Sequence, residues 1–174
     1  MTSFQPNPNE LKARMPLEDL YQEVILDHNR RPRNFKALEP CTAHCHGYNP
    51  LCGDDYDIYV TAETRDGKPA VTDIAFTGKG CAISKASGSM MTAKVKGASI
   101  ADARRIKETF LDLVTREEPA MAPADREALL GSLNIFAGVK KYPIRVKCAT
   151  LVWHALDEAL QKIQPAPSSG GKKP

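Results

Sequence analysis

The chain has 174 residues, 42% of them apolar, which suffices for one hydrophobic core but hardly for two. Its 24 lysines and arginines exceed its 21 aspartates and glutamates by only three, and the two signs are interspersed, which argues against a nucleic-acid partner. The longest mostly apolar stretch, residues 128–139, is far shorter than the roughly 18 residues of a membrane span, so a membrane protein is excluded too.

Residues 1–16 contain three prolines and no apolar period, and we expect them to form a flexible N-terminal arm. They have neither the apolar segment of a secretory signal nor an Arg-rich amphipathic pattern, so the expected compartment is the cytoplasm. Residues 164–174 are rich in Pro, Ser, Gly and Lys and are expected to be a disordered tail. One domain is therefore expected over residues 17–163.

The first elements of this domain are a helix and three strands. The spacing of apolar residues predicts the helix over residues 17–28. Alternating and β-branched residues predict strands over 41–48, 56–62 and 70–77. Because Asp66 and Gly67 form a turn signal, the last two strands should pair as a hairpin.

The rest of the domain is predicted to be mostly helical. Four helices are expected, over residues 81–96, 100–114 and 129–139, and from Arg145 or Lys147 onward. The charged, proline-interrupted segment 116–126 should be a surface loop. Strands followed by helices indicate an α+β fold, in which helices pack on one face of a small three-stranded antiparallel sheet.

The chain has five cysteines, and in a reducing compartment such cysteines are more often metal ligands or reactive thiols than disulfide partners. Cys52 and Asp54 flank Gly53, and a tight turn at this glycine would point both side chains at one centre. Cys81 stands at a predicted helix start, where free amides and the helix dipole favour a thiolate, and Cys148 is expected in the first turn of the last helix.

Three sulfurs and one oxygen suit tetrahedral zinc, or an iron–sulfur cluster with one non-cysteine ligand. The four residues are far apart in the sequence, so spacing alone does not establish a shared site. A turn that merely contains a buried cysteine is an alternative at residues 52–54. An anion-binding turn is an alternative at residues 78–80.

Five blocks of the sequence carry a resemblance to a known family, namely residues 20–28, 32–34, 49–54, 76–92 and 143–153. In this order they resemble the U-type iron–sulfur assembly proteins (the IscU/NifU-like N-terminal domain superfamily), and within these the SufU branch. Lys147 stands where IscU-type scaffolds carry a histidine. Segment 116–126 lies where SufU proteins carry an insertion.

The resemblance implies a SufU/IscU-like fold and a zinc ion bound by Cys52, Asp54, Cys81 and Cys148. It implies a zinc-dependent sulfurtransferase of the SUF system that activates a partner rather than acting as a stand-alone enzyme. Cys52 would accept persulfide sulfur from a SufS-type cysteine desulfurase. Downstream SUF scaffold proteins would be further partners. Arg145 is a candidate to pair with Asp54 or steady the released thiolate, with a solvated arginine as the alternative.

Two other functions stay open. One is a scaffold on which the same ligands assemble a 2Fe–2S cluster for delivery to apoproteins. The other is a structural zinc domain used for protein contacts.

Segment 41–46 departs from the family pattern. If it is a strand, Cys41 and Cys45 face one side and His44 and His46 face the other, so these side chains cannot easily surround one ion. We expect the two cysteines to be core-facing or merely tolerated. A second metal site, or an auxiliary thiol near Cys52, is the alternative.

Asp55, His28 and His154 are not predicted to bind the metal. Asp55 stands where SufU proteins often have arginine, and Asp54 is the preferred ligand because it holds the motif position. His28 is expected to cap or pack at the end of the first helix. His154 is expected on the exposed face of the last helix, without a role.

Overall fold

The structure is a computed structural model that describes residues 17–163, so the expected arm (1–16) and tail (164–174) lie outside the described residues. Helix α1 spans Leu17–Arg30, and strands β1, β2 and β3 span Ala43–Asn49, Asp54–Arg65 and Lys68–Lys79. Helices α2, α3, α4 and α5 span Ala82–Val95, Ile100–Thr115, Pro123–Leu130 and Pro143–Lys162, and a 3₁₀ helix spans Gly131–Lys141. Among the described helices, none is long and apolar enough to cross a membrane.

The three strands form one antiparallel sheet in the order β1-β2-β3. Strands β2 and β3 form the predicted hairpin, with positive φ at Asp66 (51°) and Gly67 (74°) in its turn. Along β2 the buried side chains alternate with half-exposed ones, because successive strand residues point to opposite faces. Helix α5 packs against β1 and β2, and α2 packs against β3. The α+β fold with helices on one face of the sheet is therefore confirmed.

An aromatic cluster at the centre of the core fixes α5 against α2 and α3. Trp153 stacks on Phe110 with ring centroids 4.4 Å apart, and Phe136 meets Phe110 edge-on at 5.5 Å. The indole Nε1 of Trp153 donates a hydrogen bond of 3.0 Å to Ser87 Oγ. This buried bond joins α5 to α2 away from their N-terminal ends, which carry cysteines.

The last helix begins at Pro143, earlier than Arg145 or Lys147 where it was expected. Proline is favoured at the first position of a helix because it lacks an N–H that would be unpaired there, and its φ already suits the helix. The shift matters for the site, because it moves Cys148 from the first turn of α5 to the second.

Two other boundaries differ from the prediction. Segment 116–126 is not a loop throughout, because a proline at position 123 starts α4 there. The single helix expected over 129–139 is divided, since Gly131 adopts a φ of 55° and ends α4 before the 3₁₀ helix begins.

Candidate metal centre

A four-residue turn carries Cys52 between β1 and β2, whose last pair is Asn49 and Asp54. The Asn49 side-chain oxygen accepts the Leu51 N–H at 3.1 Å, and its carbonyl accepts the Gly53 N–H at 2.8 Å. Gly53 has a φ of 70°, in the left-handed region that favours glycine. The tight turn predicted at this glycine is confirmed.

The adjacent carboxylates of Asp54 and Asp55 point to opposite faces of β2. Asp54 is fully buried on the helix side of the sheet. Asp55 lies on the outer face, where its Oδ1 is 3.2 Å from His46 Nε2. Because strand residues alternate, only the first of the two aspartates faces the cysteines.

Three predicted ligands, Cys52, Asp54 and Cys148, come together across 96 positions of sequence. One ligand atom from each lies within 4.8 Å of the others. The Sγ atoms of Cys52 and Cys148 are 3.3 Å apart. Cys148 is buried, whereas Cys52 is half-buried, so the cluster opens to solvent at the turn.

Cys81 borders this cluster without being a member of it. It is the N-cap of α2, where its Sγ accepts the Ser84 N–H at 3.4 Å. Its own N–H donates to Asp54 Oδ1 at 2.9 Å. The expected position at a helix start is confirmed. The exposed Cys81 thiol interacts with Cys148, but it lies outside the group of ligand atoms that are all within 4.8 Å of one another.

Cys148 does not lie in the first turn of its helix, as was expected. Five residues separate it from Tyr142, the N-cap of α5, so its N–H is bonded within the helix and free end amides do not stabilise its thiolate. Burial raises the pKa of the Cys148 thiol, and contacts with Cys52 and Asp54 raise it further. A cation among these groups would reverse that effect, because a metal binds the thiolate.

The two carboxylate oxygens of Asp54 have different surroundings. Oδ1 accepts two hydrogen bonds, from the Cys81 N–H and from Ser84 Oγ at 3.0 Å. Oδ2 is buried and has no hydrogen-bond partner within residues 17–163. A buried oxygen without a partner is unfavourable, and a metal ion would satisfy it. The donor set of two thiols and one free carboxylate oxygen therefore fits a metal such as zinc.

Sequence reasoning assigned no role to two residues that hold Asp54. Ser84 bonds Asp54 Oδ1, and the Tyr56 hydroxyl lies 3.1 Å from Ser84 Oγ. Burial raises the pKa of Tyr56 to about 12. Because Ser84 Oγ gives its one hydrogen to Asp54 Oδ1, the Tyr56 hydroxyl donates to Ser84. The signal available in the sequence was the three-residue spacing from Cys81 to Ser84, which is typical of a helix cap.

Gly80 provides the space for this arrangement. A Cβ atom at this position would meet Asp54 Oδ1, and would lie 2.6 Å from Ser84 Oγ and 2.7 Å from the Tyr56 hydroxyl oxygen. Only glycine leaves these polar atoms free to bond one another.

Arg145 is exposed at the start of α5, and its guanidinium lies 4.9 Å from the centre of the Tyr142 ring. The hydrogen bonds of Asp54 come from Cys81 and Ser84 instead. A pairing of Arg145 with Asp54 is therefore absent within the described residues.

The other cysteines and histidines are placed as follows. Cys45 is buried in the hydrophobic core, and Cys41 is half-buried just before β1. His28 Nδ1 lies 2.7 Å from Ser89 Oγ, which confirms a packing role between α1 and α2. His154 is exposed on α5, as expected.

Comparison with known proteins places this chain among proteins of iron–sulfur cluster assembly. The family model described as the NifU-like N-terminal domain matches residues 20–149. The iron–sulfur cluster assembly scaffold protein IscU of Streptococcus pyogenes is 40% identical over 146 residues, covering 84% of this chain and 86% of that protein. The zinc-dependent sulfurtransferase SufU of Bacillus subtilis is also 40% identical over 146 residues, covering 84% and 92%.

Solved structures agree with this match. A SUF-system scaffold protein from Fervidobacterium islandicum superposes with a TM-score of 0.69 at 31% identity, covering 79% of this chain and 94% of that chain. A nitrogen-fixing NifU-like N-terminal domain from Brucella abortus gives a TM-score of 0.69 at 25% identity, covering 84% and 96%.

Proposed function

The chain belongs to the family of NifU-like N-terminal domains, and from this membership we propose that it is a zinc-dependent sulfurtransferase of the SUF iron–sulfur cluster assembly system. One observation carries the proposal. Cys52, Asp54 and Cys148 bring their ligand atoms within 4.8 Å of one another, and the buried Oδ2 of Asp54 has no hydrogen-bond partner among the described residues.

Cys52, Asp54 and Cys148 would hold the zinc ion, and Cys81 would supply the fourth ligand by turning its Sγ away from the Ser84 N–H. Four ligands of sulfur and oxygen match the tetrahedral preference of zinc. Bound zinc would keep the cysteine thiols deprotonated at neutral pH. The protein supplies the buried carboxylate and the fixed spacing of the two sulfurs.

Cys52 is the proposed sulfur acceptor because it lies in a glycine-containing turn that can move, whereas Cys81 caps α2 and Cys148 lies within α5. Cys52 is also half-buried, whereas Cys148 is buried. The Cys52 thiolate attacks the outer sulfur of a desulfurase persulfide, and the sulfur–sulfur bond of that persulfide breaks. A persulfide forms on Cys52 and the desulfurase cysteine leaves as a thiolate, so that charge and atoms balance.

The proposed partner is a SufS-type cysteine desulfurase, whose turnover the protein would stimulate, and downstream SUF scaffold proteins would receive the sulfur. Two exposed apolar side chains next to the ligands suit a protein partner. Leu51 precedes Cys52 and is 75% exposed, and Ile144, one helical turn before Cys148, is 71% exposed. Arg145 is proposed to steady the released Cys52 thiolate, consistent with its exposed position on α5.

A 2Fe–2S scaffold is the second candidate function, and the name of the Streptococcus pyogenes relative supports it. The same three ligands and Cys81 would then hold a cluster. Lys147 favours the sulfurtransferase, because IscU-type scaffolds carry a histidine immediately before the last cysteine.

The test is metal analysis of protein purified without oxygen, together with turnover of a SufS-type desulfurase. We expect about one zinc per chain at the cysteine centre and a large rate increase that Cys52→Ser abolishes while the protein stays folded. Cys45→Ser, in the core, is the control and should keep the stimulation. Stimulation that survives Cys52→Ser would refute Cys52 as acceptor, and iron with acid-labile sulfide but no stimulation would establish the scaffold.

A further inference from the structure

We propose that His44, His46 and Asp57 form a second, independent binding site for a divalent transition-metal cation on the outer face of the sheet. The two histidines project from β1 on the same side, because they are two residues apart in a strand. Asp57 lies on β2 directly opposite His46 in the antiparallel register. All three side chains are one-third to one-half exposed, so a cation in solution can reach them.

Ring nitrogens of both histidines converge on one oxygen atom. His44 Nε2 is 2.8 Å and His46 Nδ1 is 3.1 Å from Asp57 Oδ1. Ligand atoms around one zinc ion stand about 3.4 Å apart when the metal–ligand bonds are about 2.1 Å long. Each histidine–aspartate distance therefore needs to open by only a few tenths of an ångström. The ring nitrogens of the two histidines lie more than 4.8 Å apart, so the exposed rings must also turn towards each other to share one cation.

Two neighbours already orient the histidine rings. Asp55 Oδ1 is 3.2 Å from Nε2 of His46, the nitrogen that is left free when Nδ1 faces Asp57. This is the carboxylate–histidine–metal arrangement that fixes most ligating histidines. The Tyr59 ring stacks on His44 with centroids 4.9 Å apart and planes 16° apart.

The donor set determines the kind of cation. Two imidazole nitrogens and one carboxylate oxygen suit zinc, nickel or copper, whereas magnesium and calcium prefer oxygen ligands only. A neutral imidazole carries one N–H and one lone pair, so each ring can offer a nitrogen to the metal. The exposed hydrogen bonds that a cation would replace contribute little, which leaves the side chains free to bind it.

The site is separate from the cysteine centre. Asp55 and Asp57 belong to the outer face of β2, and the buried Asp54 belongs to the inner face. The sheet backbone lies between the two donor sets, so neither can complete the coordination of the other. The inference therefore does not rest on the proposed sulfur transfer.

The experiment uses the full chain loaded with one equivalent of zinc per chain, enough for the cysteine centre and no more, followed by titration with Ni²⁺. We expect one further equivalent to bind, with paramagnetic changes in the ring NMR signals of His44 and His46. His44→Ala, His46→Ala and Asp57→Asn should each weaken this binding by roughly 10- to 100-fold or more. The control, His154→Ala, removes an exposed histidine of α5 and should leave the affinity unchanged.

Equal nickel binding by the wild type and the three variants would overturn the proposal, as would changes confined to His28 or His154. Failure to bind the further equivalent at all would overturn it too. Thiolate-to-nickel charge-transfer absorption would show that the cysteine centre had not retained zinc. That signal reports on the proposed function, and the histidine ring signals report on the second site.

Discussion

The two oxygens of the Asp54 carboxylate have different roles: Oδ1 is held by the protein, and Oδ2 is available to a metal ion. Ser84 and the Cys81 N–H both bond Oδ1, and Tyr56 bonds Ser84 in turn. This chain of hydrogen bonds fixes the orientation in which Oδ2 is buried with no partner in the part of the chain that the structure describes. Ser84 is thus a positioning residue for the metal ligand.

Ser84→Ala is expected to lower zinc affinity by roughly 10- to 100-fold, because loss of an outer partner lets a ligating carboxylate turn. Competition with a chromophoric chelator measures the affinity, and circular dichroism checks the fold. Ser87→Ala is the matched control on the same helix, since it removes bonds to Trp153 and Ala149 instead. It should destabilise the protein by about 1–3 kcal/mol and keep zinc affinity, whereas an unchanged affinity in Ser84→Ala would disprove the positioning role.

Asp27 is expected to titrate in the folded protein far below the ordinary aspartate value of about 3.9. Hydrogen bonds from Arg33 and Arg31 hold the pKa of Asp27 at about 2. Because the pKa is lowered by folding, the stabilisation is complete above the ordinary value and is lost as the pH falls through about 2. An NMR titration of the carboxyl carbon measures the midpoint, and Arg33→Gln should raise it. If Asp27 of the wild type titrated near the ordinary aspartate value, its hydrogen bonds to the two arginines would not persist in solution.

For single residues, the sequence predicted the positions that depend on neighbours in the chain. The turn at Gly53 and the helix start at Cys81 follow from neighbours in the chain, and both are confirmed. The hydrogen bond between Tyr56 and Ser84 joins residues 28 positions apart, and no local sequence pattern predicts such a contact. For Arg145, where pairing with Asp54 was one alternative, the guanidinium lies over the neighbouring Tyr142 ring instead.

The two turns of the sheet provide a matched pair of glycines. Gly53 and Gly67 have φ values of 70° and 74°, and a Cβ atom at either would meet nothing within 4 Å. Substitution by alanine therefore introduces backbone strain without a clash, about 1–2 kcal/mol at each position. Only the first turn carries a candidate ligand, Cys52.

Gly53→Ala and Gly67→Ala are expected to lower the free energy of unfolding by similar amounts, measured by urea denaturation. Gly53→Ala alone should also weaken zinc binding, because the strained turn displaces the Cys52 sulfur. Equal zinc affinity in the two variants would show that the turn does not control the position of this ligand.

The helix boundaries show where patterns of apolar residues fail. Apolar spacing located the body of α5 but not its start, because the segment before Cys148 is exposed and charged, and the proline at position 143 decides where the helix begins. Likewise Gly131 interrupts a continuous apolar stretch that spacing predicted as one helix. The sheet was easier to predict, since alternation along β2 reflects one buried and one exposed face.

In the whole molecule, the cysteine centre joins parts that the chain keeps far apart. Cys52 and Asp54 come from the β1–β2 turn, and Cys148 comes from α5. The N-cap of α2 contacts the same carboxylate through its N–H. A metal ion here would add a direct link between the β1–β2 turn and α5, beside the hydrogen bonds that already join β2 to α2.

Zinc is therefore expected to stabilise the folded chain. At a free concentration 100-fold above its dissociation constant, a ligand contributes about 2.7 kcal/mol, which corresponds to a rise in Tm of roughly 5–10 °C for a protein of this size. Thermal unfolding with zinc and with a chelator measures the difference. Cys148→Ala should abolish it, whereas Cys45→Ala, outside the centre, should lower both Tm values and preserve the difference. A zinc effect that persists in Cys148→Ala would place the ion elsewhere.

The opposite directions of Asp54 and Asp55 make the chemistry of this protein depend on the parity of one strand. If β2 slipped by a single residue against β1, Asp54 would face the histidines and Asp55 would turn inward. Every apolar side chain of β2 would change faces with it. A slip by two positions would preserve the faces, so a longer turn keeps the two surfaces apart when its added residues stay in the loop or when the strand shifts by an even number of positions.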